Sequence, residues 1–336
     1  MTNHSDESRQ IHAREADMSR MTVDWAERAW QLLNEIRAFE EKSVELYKQG
    51  LLGGSLHSGL GQEAVAVGVC MALQTSDYIT MTYRGRGQGL AKGADPFRLF
   101  AEMLGRIDGY CKGKGGPMHV ASKDIGMLGA NGIVGAGIPI AVGAALSAKT
   151  LSQKRAAVTF FGDGATNQGA FHESMNMAAV FKLPIVFICE NNLYAEMTPI
   201  RDSVLNEHLA ERGAAYRMRS VIVDGNDVRA VFEAANEAVL RAKTGEGPTF
   251  IEAKTYRLNG HMIGDPETYR ERSEVEEWRT KEPLRRFRQA CLDAGLIDEE
   301  RMAVIASEAF ALIEEVAERA KRSEEPRMEE IFTDVY

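Results

Sequence analysis

Two polar runs stand directly after apolar stretches of the sequence, and their side chains have the chemistry of metal ligands. A Gly-Asp-Gly run centred on Asp163 follows the apolar residues 156–161, and Asn192 follows the apolar residues 184–189. The carboxyl ends of parallel strands meet at one edge of a sheet, so Asp163 and Asn192 would emerge side by side if the strands are neighbours. A carboxylate and an amide oxygen suit Mg²⁺, which completes its coordination with water and phosphate oxygens. The pair therefore indicates a bound diphosphate.

The glycines on either side of Asp163 fit this interpretation. Gly162 and Gly164 allow the backbone to turn sharply, and N–H groups near the start of the helix expected at Gly169 can face phosphate oxygens. Taken alone, a Gly-Asp-Gly run is more often a plain turn between a strand and a helix. Neither the dinucleotide motif GxGxxG nor the P-loop motif GxxxxGK[ST] is present. The diphosphate is therefore not expected on a dinucleotide or a P-loop nucleotide.

Several motifs resemble, in the same order, those of the E1 alpha subunits of 2-oxo acid dehydrogenase complexes. They are HSGLGQEA (57–64), YRGRG (83–87), KGKGGPMH (112–119), GANGIVGAG (129–137), the segment from GDG to NN (162–192) and YRLNGHMIGDPETYR (256–270). The resemblance covers residues 25–330 and implies thiamine diphosphate and Mg²⁺ as cofactors.

The resemblance also implies roles for particular positions of this chain. The implied Mg²⁺ ligands are Asp163, Asn192 and the main-chain carbonyl of Tyr194. The diphosphate would be held by Tyr83, Arg84, His261 and the backbone at Gly164 and Ala165, and the aminopyrimidine ring by the backbone at Gly132 and Val134. His57 and His261 would be catalytic residues that face the reacting centre, where proton movement needs a group that titrates near neutral pH.

The activity that the resemblance implies is that of an oxidoreductase. Such a subunit decarboxylates pyruvate or a similar 2-oxo acid and passes the acyl group to a lipoyl domain. Two partners follow from it: a beta subunit in an α2β2 heterotetramer, which supplies a glutamate at the pyrimidine nitrogen, and a lipoyl-bearing E2 acyltransferase.

Three alternative functions stay open at this point. The chain could be an acetoin dehydrogenase E1 alpha subunit, part of a split transketolase-like enzyme, or a non-catalytic binding or scaffold protein on the same fold. Pyruvate-type members often carry histidine at the position of Arg86, and family members often carry serine in the loop that follows His261. The loop HMIGDP (261–266) instead looks closer to acetoin-cleaving relatives.

These residues need a regular framework, and the rest of the sequence indicates one. Between residues 156 and 256, strand-like apolar runs alternate with helix-like segments, which is typical of a parallel sheet. With the resemblance, this predicts an α/β thiamine-diphosphate-binding fold: a parallel sheet flanked by helices on both faces, with a helical C-terminal extension. The expected divisions are a mobile polar tail at 1–22, an α/β domain at 23–282 and a packed helical segment at 283–336.

Local patterns carry further expectations. The first helix is predicted to begin with Asp24 as its N-cap. The Gly- and Ala-rich residues 137–149 are predicted to form a buried helix in tight contact with another helix or subunit. The runs at 83–89 and 112–119 are predicted to be loops on either side of a helix near 96–105.

Composition excludes several other classes of protein. The chain has 336 residues with 40 basic and 49 acidic side chains, and its formal net charge is −9. Such a chain lacks the excess of Lys and Arg that nucleic-acid binders need, so nucleic acid is not an expected partner. Neither a long apolar run nor a signal-like N-terminus is present, so no membrane segment is expected. Four dispersed cysteines without a CxxC pair favour a cytoplasmic location.

Overall fold

A six-stranded parallel sheet forms the centre of the chain. The computed structural model describes residues 21–335, so the predicted tail at 1–22 lies outside the described residues except for its last two. The strands are β1 Tyr78–Thr82, β2 Met127–Asn131, β3 Ala157–Gly162, β4 Ile185–Asn191, β5 Tyr194–Ala195, β6 Thr198–Pro199, β7 Arg219–Asp224 and β8 Thr249–Lys254. The order across the sheet is β2-β1-β3-β4-β8-β7, and β5 pairs separately with β6.

Ten α-helices surround the sheet within the described range. They are α1 Val23–Lys48, α2 Glu63–Met71, α3 Arg86–Lys92, α4 Pro96–Met103, α5 Gly137–Thr150, α6 Gly169–Val180, α7 Val228–Lys243, α8 Arg272–Thr280, α9 Pro283–Asp293 and α10 Glu299–Lys321. None of these helices is long and apolar enough to cross a membrane.

The central strands are apolar on both faces, and this is what buries the sheet. On β3, Val158 and Phe160 join a core that also contains residues of α1, α2 and α7. Their neighbours Ala157 and Phe161 point the other way and pack with residues of α5 and α6. Since successive side chains of a strand point to opposite faces, one strand contributes to both cores. The predicted fold class, a parallel sheet with helices on both faces, is confirmed.

The C-terminal helices pack against the first helix of the chain. Trp30 on α1 donates a hydrogen bond from its indole Nε1 to the main-chain oxygen of Met302 on α10, at 2.9 Å. Beyond α10 the chain crosses the loop that follows α4, where the Ile107 N–H donates to the Glu324 oxygen at 2.9 Å. The proposed division at residue 283 falls between α8 and α9, and it stays a prediction.

The N-cap expected for the first helix is wrong, and the burial expected for α5 is found on one side only. The N-cap of α1 is Thr22, whose Oγ1 accepts from the Trp25 N–H at 3.2 Å, and Asp24 lies within the first turn. Helix α5 is buried along one side only: Ala141 and Ala145 are inaccessible, whereas Ile140 is 46% exposed. On the buried side its small residues pack against the sheet and α6, which agrees with the expected contact with another helix, and the opposite side is uncovered within the described chain.

The sequence missed three elements near the site. β1 and β2 are strands of five residues, too short for an alternation of apolar and polar side chains to be recognised in the sequence. Helix α3 begins within the run at 83–89, for which the glycines predict a loop, and continues to Lys92. Those glycines serve packing, since a Cβ on Gly87 would lie 3.1 Å from Cγ2 of Ile36 on α1.

Candidate active site

One cavity of about 470 Å³ lies at the carboxyl edge of the sheet. It is reached by the ends of five adjacent strands, β2, β1, β3, β4 and β8, and by the loop before α2. Every site residue predicted from the sequence lines it: His57, Tyr83, Arg84, Gly132, Val134, Asp163, Gly164, Ala165, Asn192, Tyr194 and His261. The topology thus brings together residues that are more than 200 positions apart in the chain. Their individual roles remain predictions.

Asp163 is the buried acid of this cavity. It follows β3 directly, and the register that pairs Gly162 with Glu190 places it beside the end of β4. Its side chain is 1% exposed, and neither carboxylate oxygen has a hydrogen-bond partner among the described residues. Burial raises the pKa of Asp163 to about 6. An ionised carboxylate in such a place is costly unless a cation or hydrogen-bond donor meets it.

Asn192 completes the pair at the end of β4. Its Nδ2 donates to Oε1 of Gln62 at 3.0 Å, and its Oδ1 accepts a long bond of 3.4 Å from the Tyr194 N–H. In the described part of the chain, no group of three or more His, Cys, Asp or Glu side chains is arranged to hold a metal. The predicted ligand set does not need one, since it combines one carboxylate, one amide and one main-chain carbonyl. This donor set fits Mg²⁺.

Arg84 brings a positive charge into the wall of the cavity. It follows β1 and is 9% exposed. Its Nη1 donates to the main-chain oxygen of Ser58, and its Nη2 donates to that of His261 at 3.0 Å. Burial lowers the pKa of Arg84 to about 10, so the guanidinium stays charged at neutral pH. A cation held rigidly by two carbonyl oxygens is suited to a phosphate group.

Three aromatic rings meet beside Arg84. The centroids of His57 and Tyr83 are 4.5 Å apart, and those of His57 and His261 are 4.8 Å apart. Burial, reinforced by the charge of Arg84, lowers the pKa of His57 to about 3 and that of His261 to about 4. Both imidazoles are therefore neutral at pH 7, which differs from the expected titration near neutrality. The cause is that the folded chain removes both rings from water next to a fixed cation.

Arg86, which departs from the pyruvate-type pattern, has a structural role. It is 2% exposed and forms an ion pair with Glu40 of α1, with 2.9 Å between Nη2 and Oε2. The same Nη2 donates to the main-chain oxygen of His57 at 2.5 Å. Arg86 therefore holds the backbone of His57 in place instead of facing the cavity.

The segment after β2 forms an exposed rim of the cavity. Ile133 is 72% exposed and Val134 is 48% exposed. Gly135 adopts a positive φ of 85° before α5 begins, a conformation that favours glycine. On the opposite side, a Cβ on Gly164 would lie 2.6 Å from Cβ of Ala195, so only glycine allows the two backbones to approach there.

Three buried polar residues of the cavity were missed by the sequence analysis. Gln62 lies in the loop before α2, Glu190 near the end of β4 and Arg257 after β8. Burial raises the pKa of Glu190 to about 7, and Nε2 of Gln88 donates to its Oε1 at 2.7 Å. Arg257 donates to the main-chain oxygen of Glu196 at 2.7 Å. All three lie within or next to the quoted motifs. Their place in these motifs was the one sequence feature that could have identified them as cavity residues.

Comparison with known proteins gives a consistent result along the chain. The family model described as "Dehydrogenase E1 component" matches residues 32–329. The alpha subunit of acetoin:2,6-dichlorophenolindophenol oxidoreductase from Bacillus subtilis is 47% identical over 308 residues, which cover 91% of this chain and 92% of that protein. The subunit of the same name from Cupriavidus necator is 42% identical over 308 residues, with the same coverage. The pyruvate dehydrogenase E1 component subunit alpha from Rhizobium meliloti is 40% identical over 301 residues, covering 89% and 86%.

Proposed function

The chain belongs to the dehydrogenase E1 component family, and from this premise we propose that it is an E1 alpha subunit that depends on thiamine diphosphate and Mg²⁺. Its proposed reaction is the oxidative decarboxylation of pyruvate or a similar 2-oxo acid, followed by acyl transfer to a lipoyl domain. The observation that carries the proposal is the buried, unpartnered carboxylate of Asp163 beside Asn192 at the carboxyl edge of the sheet.

The residues of the cavity fit that cofactor. Asp163, Asn192 and the Tyr194 carbonyl would hold Mg²⁺, and Arg84, with Tyr83 and His261, would bind the diphosphate. When bound, thiamine diphosphate supplies a carbanion that adds to a 2-oxo carbon and takes up the electrons released on decarboxylation.

The histidines are suited to moving protons at this place. His57 and His261 are neutral, and the Nδ1 atom of each is buried without a partner among the described residues. A neutral imidazole can accept a proton at one nitrogen while it donates from the other. We infer that the pair holds and passes a proton inside the cofactor site, while Arg86 fixes the His57 backbone.

A second candidate activity is acetoin cleavage. The two oxidoreductase relatives reported above, at 47% and 42% identity, are named for acetoin, and the pyruvate dehydrogenase relative is 40% identical. The loop that follows His261 also departs from the serine-containing family pattern. The same Asp163 site serves either substrate, so the choice depends on the remaining walls of the pocket.

The proposed partners are a beta subunit, in an α2β2 heterotetramer, and a lipoyl-bearing E2. The exposed rim at Ile133 and Val134 supports the first, because apolar side chains at the mouth of a cofactor site are expected to be covered in the working enzyme. A cytoplasmic location is also part of the proposal, and it is supported by four cysteines that all carry free thiols.

The deciding experiment uses the alpha chain purified together with its beta subunit. Calorimetry should show thiamine diphosphate binding that requires Mg²⁺. The Asp163→Asn variant should lose at least about 100-fold in that affinity, because the ligand charge is removed. Asp227→Asn is the matched control: Asp227 caps α7 through its carboxylate, and asparagine caps equally well. Unchanged affinity in Asp163→Asn would sink the proposal.

Turnover identifies the substrate in the same preparation. Pyruvate, branched-chain 2-oxo acids, acetoin and sugar phosphates are compared with an artificial electron acceptor. Turnover of a 2-oxo acid supports the main proposal, and turnover of acetoin alone selects the second candidate. Activity on sugar phosphates, with no turnover of 2-oxo acids or acetoin, would select a transketolase-like enzyme. Absence of cofactor binding would indicate a scaffold protein.

A further inference from the structure

Gln62 lines the cavity and contacts Asn192, one of the candidate metal ligands. It precedes α2 as the N-cap residue, yet its side chain makes no capping hydrogen bond. The side chain is directed into the interior instead, and the residue is 4% exposed. Because the buried side-chain amide does not bond to the backbone of the helix, it needs hydrogen-bond partners elsewhere.

The two ends of the Gln62 amide are in different situations. Its Oε1 accepts from Nδ2 of Asn192 at 3.0 Å. Its Nε2 is buried and has no hydrogen-bond partner among the described residues. Leaving such a buried donor unsatisfied destabilises the fold, so a ligand acceptor at this place would offset that penalty.

The contact with Asn192 also fixes which end of that amide faces the site. Because Nδ2 of Asn192 is bound to Gln62, Oδ1 lies on the opposite branch of the planar amide. That oxygen accepts only the long bond of 3.4 Å from the Tyr194 N–H, so it keeps capacity for another partner. A hydrogen-bond acceptor at Gln62 therefore selects the orientation in which Asn192 can act as an oxygen ligand.

We propose that Gln62 is a positioning residue of the cofactor site that uses both ends of its amide. Oε1 orients Asn192 for the metal, and Nε2–H donates to an oxygen of the diphosphate. The inference rests on the proposed function, since it concerns the same cofactor. It assigns Gln62 of the HSGLGQEA motif a part in binding that the sequence analysis did not give it.

Two substitutions separate the two ends of the amide. Gln62→Glu keeps an oxygen that can accept from Asn192, but it replaces the N–H donor with a negative charge. Gln62→Met has a similar length and offers neither group. The alpha chain with its beta subunit is titrated with Mn²⁺, followed by electron paramagnetic resonance, and with thiamine diphosphate in the presence of Mg²⁺, followed by calorimetry.

The expected pattern differs between the two variants. Gln62→Glu should keep its Mn²⁺ affinity within about threefold and lose at least about tenfold in affinity for thiamine diphosphate. Gln62→Met should lose about 10–100-fold in both, which is the usual effect of removing a group that orients a metal ligand. Thermal unfolding of each complex identifies a variant that is merely unfolded.

A double-mutant cycle with Asn192→Ala tests the positioning role even if Gln62→Met loses stability. Once Asn192 is absent, Gln62→Met should cost no further Mn²⁺ affinity, because the group that it orients has been removed. A full additional loss in the double variant would overturn the inference. The inference would also be overturned if both Gln62 variants bound Mn²⁺ and thiamine diphosphate as tightly as the wild type does.

The outcomes also separate this inference from the proposed function. If the wild-type complex binds no thiamine diphosphate, the proposed function fails and the inference fails with it. If the wild type binds it and Asp163→Asn abolishes binding, but the Gln62 variants bind normally, only the role of Gln62 is refuted.

Discussion

At the scale of single residues, the cavity keeps its two histidines uncharged. The pKa of His57 lies near 3 and that of His261 near 4, against an ordinary value of 6.5. In the unfolded chain both would take up protons as the pH falls below about 6.5, whereas in the folded chain they do so only near pH 4 or lower. The unfolded chain then binds more protons, so these histidines lower the stability of the fold as the pH falls.

The first prediction follows from that sign. Replacing both histidines with asparagine should remove a stability loss that grows, for each histidine, by at most about 1.4 kcal/mol per pH unit below 6.5. The difference in free energy of unfolding between the double variant and the wild type is measured by urea titration between pH 7.5 and 5. Glu190 has a raised pKa and acts in the opposite sense, so the difference is more informative than the wild-type curve. A difference independent of pH would contradict the prediction.

Residue types and spacing were enough to select Asp163 and Asn192 as neighbours, because both directly follow recognisable strands. They were not enough to select Gln62 or Arg257. The importance of those two depends on which partners their polar atoms find after folding. The expected titration of the histidines near neutral pH was wrong for a related reason. The pKa of His57 depends on its burial and on the nearby charge of Arg84, and the sequence does not indicate either.

At the scale of secondary-structure elements, glycine has opposite consequences on two helices. On α2, a Cβ at Gly68 would lie 2.7 Å from the main-chain oxygen of Val228 and 2.7 Å from Cβ of Val231 on α7. On α5, a Cβ at Gly143 would meet nothing within 4 Å. The first glycine allows two helices to pack closely, whereas nothing in the described chain packs against the second.

The second prediction compares these two positions. Gly68→Ala should destabilise the chain by about 1–3 kcal/mol through overpacking. Gly143→Ala should stabilise it by up to about 1 kcal/mol, since alanine favours a helix interior more than glycine does. Urea denaturation of the isolated alpha chain measures both. Equal effects of the same sign would show that the contact with α7 does not control the result.

Elements with long, regular patterns were predicted well, and short ones were not. The β3 and β4 strands lie within a residue or two of the apolar runs at 156–161 and 184–189. The five-residue strands β1 and β2 carry too few residues for a period to show. Helix α3 was hidden by glycines that allow close contact with neighbouring elements: Gly87 with α1, Gly85 with β1 and Gly89 with β2. These contacts could not be known before those elements were placed.

At the scale of the whole molecule, α5 and α6 present an apolar face that the described chain leaves uncovered. We call it the α5/α6 face; its exposed residues include Ile140, Met177, Val180 and Phe181. Exposed apolar side chains gathered on one side of a fold often mark an interaction site. Ile140, in the first turn of α5, is the residue of this face nearest the cofactor site, and Phe181 lies at the other end of α5, where Nζ of Lys149 donates to its main-chain oxygen.

The third prediction concerns this face. Ile140→Glu should leave the thermal stability of the isolated alpha chain nearly unchanged, because surface substitutions usually fall within about 0.5 kcal/mol. It should weaken assembly with the beta subunit by at least about tenfold, measured by sedimentation velocity over a dilution series. Leu240→Glu on α7 is the control, since Leu240 is 61% exposed and α7 covers the other face of the sheet. Normal assembly of Ile140→Glu would exclude this face from the interface.

The exposed rim at Ile133 and Val134 would couple cofactor binding to subunit association. If a partner chain supplies the missing wall of the cavity, the cofactor binds the assembled form more tightly than the separate chain. Thermodynamic reciprocity then requires that the cofactor tighten subunit association by the same factor. An affinity for thiamine diphosphate would therefore depend on the protein concentration at which it is measured, and dilution alone would release cofactor. Added cofactor would, by the same factor, shift the separate chains toward the assembled form.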